Sequence, residues 1–290
     1  MGGPNRLVVK KLEVEVSLMP HDFDPGYGQS PYDQLCATYP DESVYPYADF
    51  RSEWGPVFHR GRLDGSARVL AIGQDPAQTE TMVRRILVAV AGHRFQGFLF
   101  KLGIDRSYTM INTFLYSVYG QWGGSKHQND VAITSYRNQW IKAILANNKI
   151  DAVVTLGALA DGAWTTWKKT SDSASYNPAY ANITHPTEPE GASKGNPTKK
   201  AQLITQMLQN WNTALTALHP QITKPDSARP LVPYGTKFLA SEMVEIPEAD
   251  FPPGIPAWMR GTYPWANRTG KSPAVKRATI TSTVPSAFRK

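Results

Sequence analysis

Four short apolar segments that alternate with helical patterns constrain the fold of this chain more than any other feature. The apolar segments cover residues 67–73, 107–112, 150–157 and 179–186. The segments with helical spacing between and after them include residues 79–92, 131–148 and 196–218. Strands that alternate with helices form a parallel sheet with helices packed on both faces. The sequence therefore predicts an α/β protein, a three-layer α/β/α sandwich with a central four-stranded parallel sheet.

The composition changes along the chain and predicts three parts. Residues 1–66 are rich in Pro, Tyr and Asp and lack periodicity, which favours an irregular extension packed on the body. Residues 67–220 hold the strand and helix patterns and are expected to form the main domain. Residues 221–290 form a basic extension that contains Pro and Trp.

The net charge of +7 is concentrated in the last part of the chain. Seven Lys or Arg and no Asp or Glu occur from Phe251 onward, so residues 1–250 balance at 24 basic and 24 acidic side chains. A basic tail can attract phosphate backbones through sequence-independent electrostatics. A solvated, partly disordered terminus explains the same composition, and both interpretations stay open.

The composition also excludes several classes of protein. The one cysteine, Cys36, cannot supply a disulfide within the chain, a four-cysteine zinc site or a cysteine-ligated iron–sulfur cluster. The six histidines lie far apart, so no metal or other cofactor is expected. No apolar run approaches the roughly 20 residues that cross a bilayer, and the N-terminus lacks the apolar core of a signal peptide. We therefore expect a cytosolic protein that does not bind a membrane.

Polar residues stand where three of the predicted strands end. Asp75 follows the first strand, Asn112 ends the second, and His185 lies at the end of the fourth. Ligands of parallel α/β sheets bind beyond the carboxyl ends of the strands, so these three side chains predict a site. Each also has a purely structural interpretation: Asp75 as the cap of a turn, Asn112 as a loop anchor and His185 as a core histidine.

Four segments resemble the uracil-DNA glycosylase superfamily. GQDPAQ (73–78) is similar to its first motif and HPTEPEG (185–191) to its second, His-Pro, motif. Between them, GHRFQGFLFKLGI and YTMINTFLYSVYG resemble its base-stacking and base-reading segments. The resemblance implies a DNA repair enzyme of base excision repair, a monofunctional hydrolase that flips uracil out of DNA and leaves an abasic site. It also implies a clusterless bacterial-type member that works as a monomer in the cytosol or at the nucleoid.

The resemblance further implies roles for single residues. Asp75 would stabilise the sugar cation and position water, and His185 would donate a hydrogen bond to the departing uracil anion. The implied base-binding residues are Gly73, Gln74, Ala77, Asn112 and Phe95, with Phe98 and Phe100 as alternatives to Phe95. Ala77 stands where the best-known branch has a tyrosine that blocks the thymine methyl, so hypoxanthine or another deaminated base stays open as a substrate.

The loop after His185 is implied to contact DNA. Pro186, Ser193, Lys194 and Lys199 are candidate contacts, with a solvated helix face as the alternative. This loop lacks the large apolar wedge that some members insert into the base stack. Single-stranded DNA is therefore expected as a partner as well as double-stranded DNA. The alternative to an enzyme is a non-catalytic protein that binds uracil-containing DNA.

Overall fold

The computed structural model describes residues 28–119 and 123–289. The strands are β1 (His59–Gly61), β2 (Val69–Gly73), β3 (Tyr108–Asn112), β4 (Ala152–Leu156), β5 (Ala179–Ile183), β6 (Ala266–Arg268) and β7 (Ile280–Ser282). The α-helices are α1 (Tyr32–Ala37), α2 (Gln78–Val83), α3 (Val90–Lys101), α4 (Gly123–Lys126), α5 (Val131–Asn147), α6 (Ala158–Lys168), α7 (Glu188–Ala192), α8 (Pro197–Leu218), α9 (Ala257–Arg260) and α10 (Pro273–Ala278). Within these described ranges no helix is long and apolar enough to cross a bilayer.

The central sheet has the strand order β1-β3-β2-β4-β5. Strands β2 to β5 are parallel, as the sequence predicts, and their bounds lie inside the predicted ranges. A fifth strand, β1, pairs antiparallel with β3 at the edge. The predicted mixed α/β fold is confirmed, and the count of four strands is corrected to five. Apolar runs did not reveal β1 because its three residues are His, Arg and Gly.

Both faces of the sheet are covered, which explains why the predicted strands are continuously apolar. Val69 and Ala71 of β2 face a core that contains side chains of α3 and α8. Leu70 and Ile72 face the opposite core, which contains side chains of α5 and α6. Successive side chains of β2 therefore pack against opposite helical layers, one on each face of the sheet.

The helix predicted over residues 79–92 is wrong. Helix α2 ends at Val83, and the chain enters α3 only at Val90. Between them, Arg84 and Leu87 adopt left-handed backbone with φ of 61° and 52°. Left-handed residues end a helix, and the buried apolar side chains of this connection imitate a helical period in the sequence.

The helices predicted over residues 131–148 and 196–218 form, and a side chain caps the start of each. Asn196 caps α8, since its Oδ1 accepts from the backbone N–H of Lys199 at 2.9 Å. Asp130 caps α5 in the same way, accepting from the N–H of Ala132 at 3.0 Å. A cap of this type is worth about 1 kcal/mol, because it satisfies donors that the first turn leaves unpaired.

The last part of the chain is joined to the edge of the sheet by a buried ion cluster. Asp250 accepts from Arg60 at 3.0 Å, and its carboxylate also contacts Arg62 and the hydroxyl of Tyr108. The side chains of Asp250 and Arg60 are not exposed to solvent. Removing one member of such a cluster leaves a buried unpaired charge and typically costs about 3–5 kcal/mol.

Candidate active site

A cavity of about 290 Å³ opens at the carboxyl ends of β2, β3 and β5. Asp75, Asn112 and His185 all line it, although they come from three different strand ends. The topology brings them together because parallel strands end at the same edge of the sheet. The structure thus places the three predicted side chains around one concave space.

Asp75 is held by the backbone of a neighbouring segment. Its Oδ2 accepts from the N–H of Val118 at 2.8 Å. Burial raises the pKa of Asp75 from 3.8 to about 6, while the Val118 hydrogen bond, Arg51 and Gln74 favour the charged form. The group is therefore mostly a carboxylate at pH 7, with a pKa near the pH at which an acid–base group works best.

Arg51 supports the segment that holds Asp75. Its Nη1 donates to Ser117 Oγ at 3.1 Å and to the carbonyl oxygen of Val118. The backbone N–H of Arg51 also donates to the carbonyl of Ser117 at 2.8 Å. Arg51 is 4% exposed, so its positive charge acts on Asp75 through protein more than through water. Sequence reasoning missed this residue, because nothing in the irregular N-terminal segment connects it with residue 75.

Gly73 leaves space for the side chain of Asn112. The two residues are paired in the β2–β3 register, and a Cβ built on Gly73 would lie 2.4 Å from Asn112 Oδ1. Within the described residues the carboxamide of Asn112 has no hydrogen-bond partner, although it is only 9% exposed. Its donors and acceptor are therefore available to a ligand in the cavity. Gly73 itself does not line the cavity, whereas Gln74 does.

His185 is a neutral imidazole. Its Nδ1 accepts from the backbone N–H of Thr187 at 3.3 Å, so the proton of the neutral ring resides on Nε2. Burial lowers the pKa of His185 to about 4, with Glu190 opposing the change. The ring therefore offers one N–H donor over the whole physiological range of pH.

Arg94 holds the loop that carries His185. It donates to the carbonyl of Pro186 at 2.6 Å and forms two hydrogen bonds with Glu190, at 3.0 and 3.1 Å. Paired contacts between a guanidinium and a carboxylate fix geometry as well as charge. Pro186 is buried and lies next to the cavity lining. Arg94 belongs to the segment that resembles a base-stacking motif, yet these hydrogen bonds join it to Pro186 and Glu190, and its guanidinium lies over the ring of Phe238.

The predicted stacking residue, Phe95, requires a correction. Phe95 is fully buried in the core and stacks on Phe98, with ring centroids 5.7 Å apart. Phe100 is partly exposed but lies under the guanidinium of Arg229, away from the cavity. Leu87, in the connection between α2 and α3, lines the cavity, as do Val90 and Tyr263. The prediction of Phe95 rested on the resemblance to the base-stacking segment, whereas in this structure Phe95 and Phe98 pack into the core.

The backbone of Leu87 is held by a close approach to α3. A Cβ built on Gly92 would lie 1.6 Å from the carbonyl oxygen of Leu87, so glycine is required there. Leu87 is 6% exposed, and Ala77 lines the same cavity from its exposed rim. Two aliphatic side chains thus supply apolar surface near the polar groups.

The predicted phosphate contacts differ in exposure. Ser193 is 3% exposed and its hydroxyl donates to the carbonyl of Glu190, and its contact with a phosphate stays a prediction. Lys194 and Lys199 are exposed near the start of α8, where solution partners can reach them. Their predicted role stays a prediction.

A second carboxyl group and a distant segment also line the cavity, and sequence reasoning missed both. Glu80 accepts from the N–H of Ala77 at 3.2 Å, and burial raises its pKa. Residues 262–267 contribute a further wall, from a part of the chain without motif signal. Over residues 28–119 and 123–289, no cluster of three or more His, Cys, Asp or Glu is arranged to hold a metal ion.

The family model of the uracil DNA glycosylase superfamily matches residues 60–222. No curated protein matches the chain. The match covers more than half of the chain and includes the strand ends that carry Asp75, Asn112 and His185. The chain belongs to the uracil DNA glycosylase superfamily, as the sequence motifs predict. This membership supports a DNA glycosylase, a hydrolase of N-glycosidic bonds in DNA.

Proposed function

We propose that this protein removes uracil from DNA by hydrolysing the bond between the base and deoxyribose, which leaves an abasic site. The observation that carries the proposal is the convergence of Asp75, Asn112 and His185 on one cavity of about 290 Å³. A carboxylate, a carboxamide and a neutral imidazole are the groups that this reaction needs at the sugar, the base edge and the departing oxygen.

Asp75 would act on the sugar side of the bond. Departure of the base leaves positive charge on the sugar, and a partly buried carboxylate stabilises that charge more strongly than water does. Its pKa of about 6 leaves it ionised at pH 7 and able to orient and deprotonate the attacking water. Fixed hydrogen bonding by Val118 would keep the carboxylate oriented before the substrate arrives.

His185 would act on the base side. Negative charge accumulates on a uracil oxygen as the bond breaks, and an N–H on Nε2 would donate to it. The pKa of His185, about 4, supports a neutral donor, because at neutral pH the ring carries a proton on Nε2 and none on Nδ1. Removing one donor of this type typically costs about 10²–10³ in rate.

Asn112 would read the edge of the base. Its carboxamide offers one acceptor and two donors, which complements the imide N–H and the adjacent oxygen of uracil. Cytosine presents a different donor and acceptor pattern at these positions and would leave buried groups unpaired, which is costly. The backbone after Gly73, at Gln74, is proposed to donate an N–H to the same edge.

The base must leave the stack to reach this cavity, at a cost of a few kcal/mol. Leu87 and Ala77 supply aliphatic surface that would offset part of this cost by burying the faces of the base. The exposed Lys194 and Lys199 are proposed to bind phosphates of the same strand. A base that leaves a single strand loses less stacking than one that leaves a duplex, so single-stranded DNA is included among the proposed substrates.

Hypoxanthine is a second candidate substrate. The small side chain of Ala77 leaves the rim of the cavity open, so a larger deaminated base has room to enter. The polar groups that line the cavity are carboxyl, carboxamide, hydroxyl and imidazole groups, which suit hydrolysis by water. A monofunctional glycosylase is therefore proposed for either base.

The test uses end-labelled single- and double-stranded oligonucleotides that carry one uracil, thymine or hypoxanthine. Hot alkali converts an abasic site into a strand break. Breaks that depend on uracil, with none at thymine, are expected. Breaks at hypoxanthine and at no other base would show that hypoxanthine is the substrate and that the proposal for uracil is wrong. If the protein binds uracil-containing DNA and causes no breaks on any substrate, it is a DNA-binding protein and not an enzyme.

A further inference from the structure

The segment from Thr262 to Ser282, here called the C-terminal hairpin, packs beside the cavity. Its strands β6 and β7 pair antiparallel, with Asn267 opposite Thr281. The hairpin rests on α2, where Gln78 Nε2 donates to the carbonyl of Ala266 at 3.4 Å. This hairpin lies outside residues 60–222, the part of the chain that the superfamily model matches.

The hairpin is anchored by its own apolar core. Trp265 is 1% exposed and packs in a cluster with Val83 and Phe251. Val83 ends α2, so the cluster joins the hairpin to the segment that follows Asp75. An anchored element can position side chains at a site, whereas a solvated tail cannot.

Three polar side chains of the hairpin region line the cavity: Thr262, Tyr263 and Asn267. Asn267 is held in place, since its Nδ2 donates to the carbonyl of Pro264 at 3.1 Å. Tyr263 is 46% exposed and packs edge-on against Phe288, with ring centroids 5.6 Å apart. The cavity is therefore incomplete without this part of the chain.

Arg268 follows Asn267 and is exposed. It is close enough to Asp75 to favour the charged form of that carboxyl group. Other arginines nearby are already paired: Arg260 with Glu248 at 2.6 Å and Arg277 with Glu53 at 3.1 Å. Among the described residues, Arg268 has no acidic partner.

Two exposed lysines, Lys271 and Lys276, extend the positive surface from Arg268 along the hairpin. Neither has an acidic partner among the residues that the structure describes. No Asp or Glu occurs from residue 251 to the end of the sequence. A cationic surface that adjoins the cavity of a DNA glycosylase is complementary to the backbone of the strand whose base enters that cavity.

We propose that the C-terminal hairpin binds the substrate strand: Thr262, Tyr263 and Asn267 form a wall of the base cavity, and Arg268 binds a phosphate beside the flipped nucleotide. This inference rests on the proposed function for the identity of the base. The partner is a single DNA strand, and the contact is charge-assisted, so it weakens with salt.

The test measures the affinity of a fluorescent single-stranded oligonucleotide with one uracil, in an Asp75→Asn background that prevents cleavage. Adding Arg268→Ala should weaken binding by about tenfold. It should also reduce the slope of log Kd against log salt by about 0.7, the contribution of one phosphate on single-stranded DNA. Arg268→Lys should retain most of the salt slope, because it keeps the charge.

The matched control is Arg106→Ala in the same background. Arg106 is an exposed arginine just before the amino end of β3, whereas the cavity lies at the carboxyl end, so its loss should leave affinity and salt slope unchanged. Equal effects of the two alanine variants, or no effect of Arg268→Ala, would overturn the inference. The inference would also be overturned if Arg268→Ala lost affinity for an acidic peptide and kept its affinity for DNA.

The outcomes separate this inference from the proposed function. If the wild-type chain cleaves at no base while Arg268 still determines DNA affinity, the proposed function fails and the hairpin remains a DNA-binding element. If the wild-type chain excises uracil and Arg268→Ala binds like its parent, the hairpin inference fails alone. Arg268 is exposed, so its substitution is not expected to unfold the protein.

Discussion

The backbone N–H of Val118 donates to Oδ2 of Asp75 at 2.8 Å. The carbonyl of the same residue, Val118, accepts from Arg51. One residue, Val118, thus links a buried arginine of the N-terminal segment to the carboxylate at the end of β2. The carboxylate is oriented and its charge is partly compensated in the free protein, which is the arrangement expected of a preorganised site.

The pH dependence of cleavage should follow the ionisation of Asp75. Its pKa is about 6, and the carboxylate is the active form, so kcat/KM should fall as the pH is lowered through 6. His185 should add no further change down to about pH 4, because its pKa lies there. Steady-state rates on a uracil oligonucleotide between pH 4.5 and 8.5 measure this profile.

Glu80 provides the control for that assignment. It is a second buried carboxyl group in the same cavity, and its pKa is also raised. Glu80→Gln should keep the loss of rate near pH 6, since Asp75 is unchanged. A profile that becomes flat in Glu80→Gln would assign the titration to Glu80 and contradict the role given to Asp75.

Substitution of Arg51 should move the same profile. Arg51 favours the charged form of Asp75, so Arg51→Met should raise the pKa of Asp75 and shift the loss of rate to higher pH. Arg51→Lys keeps a positive charge and should shift it less. A merely structural role for Arg51 would lower the rate at every pH and leave the midpoint where it is in the wild type.

Asp75→Asn should stabilise the protein in a pH-dependent manner. The folded state raises the pKa of Asp75 from 3.8 to about 6, so it favours the protonated form. The stability linked to that proton is present below pH 3.8 and is lost as the pH rises through 6. Asparagine avoids the loss, worth up to about 3 kcal/mol at pH 8 and about half of that at pH 5. Urea unfolding of both proteins at the two pH values checks the gain, and a constant difference would contradict it.

Gly73→Ala should impair the reaction with little effect on folding. The new methyl group would lie 2.4 Å from Asn112 Oδ1, so the carboxamide must move. A displacement of about 1 Å at a reacting group can cost roughly 10² in rate. Gly235→Ala is the matched control, because a Cβ there meets no atom within 4 Å. Equal rates for the two variants would show that the position of Asn112 does not matter.

The sequence predicted those features that depend on local patterns. Strands such as β2 are recognisable because a strand covered on both faces is continuously apolar. Asp75, Asn112 and His185 were predicted to converge because strand direction alone places their backbone positions at one edge. Caps such as Asn196 depend on equally local contacts, because a cap bonds to backbone groups two or three positions away.

Features that depend on distant contacts were not predictable. Strand β1 contains a buried arginine, Arg60, whose partner Asp250 lies 190 positions away in the sequence. Phe95 and Leu87 are both apolar, and only the folded chain shows that Phe95 packs in the core while Leu87 lines the cavity. Arg51 carries no motif, so only the folded chain connects it with the site.

The most direct test of the central claim compares the wild-type chain and Asp75→Asn on one end-labelled, uracil-containing oligonucleotide. Single-turnover cleavage and equilibrium binding are measured on the same preparations. The wild-type chain should cleave at uracil, and Asp75→Asn should lose roughly 10²–10⁴ in rate while binding with unchanged affinity. Cleavage by Asp75→Asn at the wild-type rate would contradict the assignment of Asp75 as the residue that stabilises the sugar cation.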